Sequence, residues 1–171
     1  MRRRACEFVG RRSTRKPDLQ YKGSPTWTAL FFPEMKTKPC LTHEDCRKIM
    51  AACSAEALAH QWAVTIAIVD DGGHLLMLER LDGAAPSSAE IGPAKARMAA
   101  LGRRETKAYE DIINGGRFAF LSAASGTALR GAMMEGAVPI MFEGQCVGAV
   151  GVSGVKSAED AQVARAGIAA L

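Results

Sequence analysis

Between Val64 and Leu81 the chain reads VTIAIVDDGGHLLMLERL, two strand-like runs joined by Asp71-Gly72-Gly73. Glycines there supply the positive φ angles that a tight hairpin turn needs. In the first run Val64, Ile66 and Ile68 point one way and Ala63, Thr65, Ala67 and Val69 the other, so both faces are apolar. A half-solvated strand would alternate apolar with polar residues, so this one is expected mid-sheet with a layer packed on each side. Its second face is built of small side chains, which lets a helix or a flat ligand come close to the backbone.

The remaining pattern alternates helices with hairpins. Thr42 followed by Asp45 reads as a capping box, and Glu44 and Asp45 suit the positive end of a helix dipole. Cys46, Ile49, Met50, Cys53 and Ala57 then form a helical stripe that should end near His60 or Gln61. Asp82 to Ser88 is a loop, and a helix is expected from about Ala89 to Arg103 with a kink or a late start at Pro93. Its expected buried stripe is Ile91, Ala94, Met98 and Leu101. Lys95 borders that stripe, either snorkelling to water or binding an anion at a groove. Glu105 to Ile113 reads as a short polar helix stopped by Asn114-Gly115-Gly116, and Arg117 to Glu135 has no clear period. Ala137 to Phe142 is a strand whose Pro139 requires an edge or a bulge; Glu143-Gly144 turns it into Gln145 to Ser153. Gly148 and Gly151 fall on opposite faces of that last strand, where a missing side chain marks close approach by backbone or ligand. Ser157 with Asp160 should cap a final helix to Leu171 with the stripe Ala161, Ala164 and Ile168. Consecutive hairpins imply an antiparallel sheet, and two apolar faces imply helices on both sides: an α+β chain, arranged as an α/β/α sandwich.

Composition narrows the function classes. A hydrophobic content of 48% over 171 residues is enough for one domain with a real core, and no apolar run approaches the ~20 residues of a membrane span. The net charge of +4 suggests nucleic acid until it is located: residues 1–34 hold 8 Lys or Arg against 3 acids, and residues 35–171 hold 14 against 15. Residues 1–40 are therefore expected to be a basic, poorly ordered extension before a domain at 41–171. A transit peptide or nucleic-acid arm is the less favoured reading, and Met35 is a candidate true start. Neither nucleic acid nor membrane is expected as a partner. Cys6, Cys40, Cys46, Cys53 and Cys146 form no paired motif and read as small core hydrophobes in a reducing, cytoplasmic compartment. His43, His60 and His74 lack zinc-site spacing, so no metal site is expected.

The runs VTIAIVDDGGHLLMLERLDGAAPSS, IGPAKARMAA, AVPIMFEGQCVGAVGVSG and SAEDAQVARAGIAAL together resemble the GlcG/HbpS family, which includes the C-terminal domain of PduO, from about Leu41 to Leu171. The resemblance implies a profilin-like fold with a five-stranded antiparallel sheet, the unclear segment supplying the remaining strand. It also implies a homodimer that assembles further, often into octamers, and in several members haem binding. Where members often read Ser-Gly-Gly after the last strand, this chain has Ser153-Gly154-Val155.

Two functional classes follow. The first is a module holding haem or a corrinoid over the glycine-rich strand at Gly148 and Gly151. Arg80, Lys95 and Arg130 would then meet the propionates and His60 would offer an axial nitrogen. Surface or capping placement is the plain alternative for His60, and surface placement for His74. The second class is an enzyme acting on a small carboxylate, a tautomerase or isomerase in 2-hydroxy acid or aromatic-acid catabolism. There Arg80 or Lys95 would hold the carboxylate and Asp82 or Glu135 would move the proton. Ordinary surface ion pairing among Arg80, Asp82 and Lys95 is its plain alternative. No nucleophile elbow, phosphate loop or dinucleotide fingerprint is present.

Overall fold

The structure, a computed structural model, describes residues 37–122 and 131–171. The basic extension up to residue 36 and Arg130 lie outside the described residues. The elements are α1 (His43–Ala59), β1 (Thr65–Asp70), β2 (Leu75–Arg80), α2 (Ser88–Gly102), α3 (Lys107–Asn114), a 3-10 turn (Phe118–Phe120), β3 (Ala137–Phe142), β4 (Gln145–Ser153) and α4 (Ser157–Ile168). The strands form an antiparallel sheet in the order β2-β1-β4-β3. β1, apolar on both faces, sits inside this sheet with its residues Thr65 to Val69 all buried. On one face Ile66, Ile68, Val150 and Val152 meet the α1 stripe Cys46, Ile49, Met50, Cys53 and Ala57, together with Val163 and Ala164 of α4. On the other, Val69, Ala137 and Ala149 meet Ala96, Ala99 and Ala100 of α2. Helices thus cover both faces, as the two-sided apolarity of β1 requires.

Among the described residues the sheet has four strands, not the expected five. The described part of the unclear segment forms a helical turn instead, in which Phe120 finds local partners while Phe118 is exposed. Phe120 packs on Tyr109 with ring centroids 6.0 Å apart, and the Arg117 guanidinium lies 5.0 Å from the Phe120 centroid. Residues 123–130 of that segment lie outside the described residues. Pro139 is tolerated where, among the described residues, β3 is an edge strand. The other edge, β2, carries a bulge: Ile68 faces Met77 and Val69 faces Leu75, leaving Leu76 as the extra residue.

α1 opens with the expected cap. The Thr42 backbone N–H and hydroxyl donate to Asp45 Oδ2 at 3.0 and 2.6 Å, and the Asp45 N–H donates back to Thr42 Oγ1 at 3.2 Å. Those bonds hold the Asp45 carboxyl below its ordinary value. α4 differs from expectation. Its N-cap is Lys156, whose N–H donates to the Glu159 carboxylate at 3.1 Å, and Asp160 is turned into the core.

α2 departs most. Its buried positions are Ser88, Gly92, Pro93, Lys95, Ala96, Ala99 and Ala100; the expected Ile91, Ala94 and Met98 are half-buried and Leu101 is exposed. The helix faces the sheet with its small residues because the sheet offers small residues back. A Cβ built on Gly151 would sit 2.6 Å from the Ala96 nitrogen and 2.8 Å from its Cβ, with the Gly92 carbonyl closer still. That seating places Lys95, only 1% exposed, beside α4. Its ammonium donates to Asp160 Oδ2 at 2.8 Å and to the Val152 carbonyl at 3.1 Å, and Asp160 Oδ1 accepts the Val155 N–H at 3.2 Å. Room for the pair exists because residue 136 is glycine: a Cβ there would lie 2.6 Å from Lys95 Nζ and 2.9 Å from Asp160 Cβ.

Two substitutions test these contacts. Gly151→Ala forces a methyl against α2 backbone, and is expected to destabilise the fold by about 3 kcal/mol in urea denaturation; an unchanged midpoint would show that α2 is not seated on β4. Lys95→Met leaves a buried carboxylate alone, at a cost of about 3–5 kcal/mol at neutral pH. Burial pushes the Asp160 carboxyl up, and Lys95 pulls against that shift. A folded value above the unfolded one, about 3.9, adds stability that is complete below the unfolded value and fades as pH rises through the folded one. The deficit of Lys95→Met should therefore be largest near neutrality and shrink in acid, and a pH-independent deficit would contradict the pairing.

Candidate functional site

The residues singled out from sequence scatter across the fold. Gly151 is closed by α2, and a Cβ on Gly148 would meet the Leu41 side chain at 2.6 Å and the Val69 carbonyl, so neither glycine floors an open groove. The small face of β1 admits a helix, not a flat guest. Lys95 is neither snorkelling nor at a groove; it is spent on Asp160 in the core. His60 caps the C-terminus of α1, stacks on Trp62 with centroids 4.4 Å apart, and lies 3.2 Å from Glu56 Oε1 and 3.3 Å from Gln162 Nε2. His74 is at the surface beside the hairpin turn, 3.1 Å from Asp70 Oδ2. Arg80 and Asp82 are exposed at the end of β2, whereas Glu135 precedes β3 at the opposite edge, its N–H donating to Glu110 Oε2 at 2.7 Å. With β1 and β4 between those edges, and about 4.8 Å per strand spacing, one chain does not bring Arg80, Asp82 and Glu135 together. Among the cysteines, Cys46, Cys53 and Cys146 are buried as expected and Cys40 is exposed. Burial pushes the Cys53 thiol up to about 12, which leaves it unreactive.

Concave surfaces among the described residues include a hollow of about 390 Å³ lined by Glu110, Ile113, Asn114, Leu121, Met133 and Met134, which offers no cation, and three others. An apolar groove of about 510 Å³ lies between the Pro39–Leu41 stretch, Met141 and Phe142 of β3, and Ile168. Its one charged lining residue is Asp45, already committed to the α1 cap. A notch of about 380 Å³ near Trp62 holds Asp82 but no cation. The third, about 500 Å³, lies between α1 and β2 and is lined by His43, Arg47, Met50, Ala51, Met77 and Glu79.

That third groove has the richest chemistry. His43, Arg47, Met50 and Ala51 are spaced i, i+4, i+7 and i+8 and so share one face of α1. Met77 and Glu79 reach it because they pair with Ile68 and Ile66, whose side chains point to the α1 layer. Met50 is buried and Met77 half-buried, giving a floor of thioether and methylene, while His43 and Arg47 stand exposed at the rim. Neither the His43 nor the Arg47 side chain is hydrogen-bonded or ion-paired to another described residue, whereas Glu79 accepts the Ser54 hydroxyl at 2.8 Å. An apolar floor, an available imidazole and an available guanidinium form a site for a flat ligand with an acidic edge. Sequence reading used Met50 only as core and passed over His43 as one of three scattered histidines. The legible signal was the shared face of His43, Arg47 and Met50.

For haem, the residues first suggested do not fit: the glycines are covered and Lys95 is inaccessible. Those of the α1–β2 groove do fit, since they combine an imidazole nitrogen, a cation and polarizable apolar walls. Among the described residues no group of three or more His, Cys, Asp or Glu could hold a bare metal ion, and no helix is long and apolar enough to cross a membrane.

Comparison with known proteins agrees on the family. Protein GlcG of Escherichia coli strain K12 is 53% identical over 119 residues, covering 70% of this chain and 85% of GlcG. The crystal structure of Klebsiella pneumoniae protein ORFY superposes with a TM-score of 0.75 at 26% identity, over 81% of this chain and 95% of that one. A crystal structure of a PduOC–haem complex gives 0.71 at 25% identity, over 78% and 96%. The family model described as haem degrading protein HbpS-like matches residues 41–169, and the chain belongs to that HbpS-like family.

Proposed function

We propose that this protein binds haem, or a closely related tetrapyrrole, in the groove between α1 and β2, and that it does so as a self-associated protein. One observation carries this: the His43 and Arg47 side chains, unpaired among the described residues, stand one helical turn apart over a floor of Met50 and Met77. A macrocycle needs an apolar plate beneath it, a donor to its iron and a cation at its carboxylates, and this groove supplies all three from two adjacent elements. A family described as haem-degrading and a structural neighbour solved with haem support the same ligand. When bound, haem iron supplies one-electron and dioxygen chemistry; the chain's part is to orient the ring, offer the His43 nitrogen and neutralise a propionate with Arg47. Self-association is supported by the groove's openness, since α1 and β2 leave one side of it to solvent.

Titration of the purified protein with hemin should give a saturable Soret shift. His43→Ala should displace the band and weaken binding on the order of tenfold or more. Arg47→Ala, which removes a charge-assisted bond worth about 1.5–3 kcal/mol, should weaken it about tenfold or more with the band in place. His60→Ala should bind as the parent does. Hemin uptake that never saturates, or that ignores His43 and follows His60, would overturn the assignment.

A further inference from the structure

β2 is more apolar than its place in one copy explains. Among the described residues it is an edge strand whose one partner is β1, and every one of its residues except Met77 is exposed, with Leu75, Leu76 and Leu78 at 48%, 43% and 39%. Edge strands of proteins that stay single carry lysine, proline or inward charge to block pairing. β2 has neither lysine nor proline, and its two charges sit together at one end as Glu79-Arg80.

We propose that β2 pairs antiparallel with β2 of a second copy about a two-fold axis at Leu78, joining two four-stranded sheets into one continuous sheet. This rests on the self-association proposed above and names its surface. Symmetry fixes the register. A two-fold axis perpendicular to the sheet keeps each side chain on its own face, so directly opposed residues must be an even number apart and the axis must pass through a residue. Centred on Glu79, the pairing would set two carboxylates against each other. Centred on Met77, it would run into the bulge, where Leu76 is the extra residue and the strand bends. Centred on Leu78, it uses the regular stretch: Leu78 opposes Leu78, Met77 opposes Glu79, and Leu76 opposes Arg80. Leucines that water touches in one copy are then covered.

The seam also completes the groove. Met77 and Glu79 line the α1–β2 site, and in this register each lies across from the other residue of the pair in the second copy. The partner's strand therefore walls the side that a single chain leaves open.

In sedimentation, the parent protein should be a dimer or a multiple of one at micromolar concentration. Leu78→Lys should halve the species or reduce it further, whereas Leu58→Lys, at a residue 65% exposed on α1, should leave it unchanged. Leu78→Cys in a Cys6→Ser, Cys40→Ser background should cross-link to a covalent dimer on mild oxidation, since opposed residues stand about 4.5–5.5 Å apart, within disulfide reach. A monomeric parent, an assembly indifferent to Leu78→Lys, or an assembly in which Leu78→Cys stays reduced would each overturn the seam. Saturable hemin binding by a monomer would sink the seam alone; a cross-linked dimer that ignores hemin would sink the haem reading alone.

Discussion

The contact that most of this structure depends on is the touching of two backbones: α2 at Gly92 and Ala96 against β4 at Gly151. No side chain intervenes, since a methyl on Gly151 would already collide with helix backbone. Dispersion between close-packed backbones falls steeply with separation, and a methyl on Gly151 would collide, so this spot fixes how near α2 lies to β4. α2 is thereby held over the inner strands, packing Ala96, Ala99 and Ala100 on Val69 and Ala149. The same placement leaves the flank of β2 without a helix. Leu75 and Leu78, which pair with Val69 and Ala67 and so share the α2 side of the sheet, are exposed for that reason.

The seating of α2 also determines the role of Lys95. Three residues beyond Gly92 and one before Ala96, it projects from the edge of the contact toward α4, where Asp160 and the Val152 carbonyl take its ammonium. The ion pair links helices on opposite faces of the sheet. A buried pair gains little over apolar side chains of equal size, but it punishes any arrangement that separates the charges. Gly136 is the enabling residue, with φ +128 and no room for a side chain. A cation so placed has no exchange with solvent and no reach to a ligand.

Much of the fold was legible from periodicity, and the failures share a cause. The bounds of β3 and β4 match Ala137 to Phe142 and Gln145 to Ser153 residue for residue, and the α1 stripe is the buried set. Large apolar side chains marked these elements and packing obeyed the marks. α2 broke the rule because a close approach selects small residues: weighing Ile91, Met98 and Leu101 above Gly92, Ala96 and Ala99 rotated the helix in the reading and put Lys95 at the border of the apolar face, with its ammonium in water or at a groove. Gly151 was correctly taken as a place of close approach, but whether helix or ligand came close was open, and tertiary contact decided it. The site was missed for a related reason. His43 and Arg47 come together with Met77 and Glu79 only because β2 lies beside α1, and no local pattern states that adjacency.

The groove and the edge strand are one feature seen from two sides. A sheet layered with helices on both faces hides its centre, so a site of useful size must form where coverage stops, and here coverage stops at the edges, β2 among them. Its α1-facing residues Met77 and Glu79 line the concavity, while its outer backbone edge faces solvent. Met77 and Glu79 put a flexible apolar side chain and a charge into that concavity. They suit a strand that meets a ligand on one face and another strand along its edge. The physical constraint at Gly151 thus reaches the α1–β2 groove by geometry: holding α2 inward keeps β2 uncovered, and an uncovered β2 is one of the two described edges of the sheet that remain open.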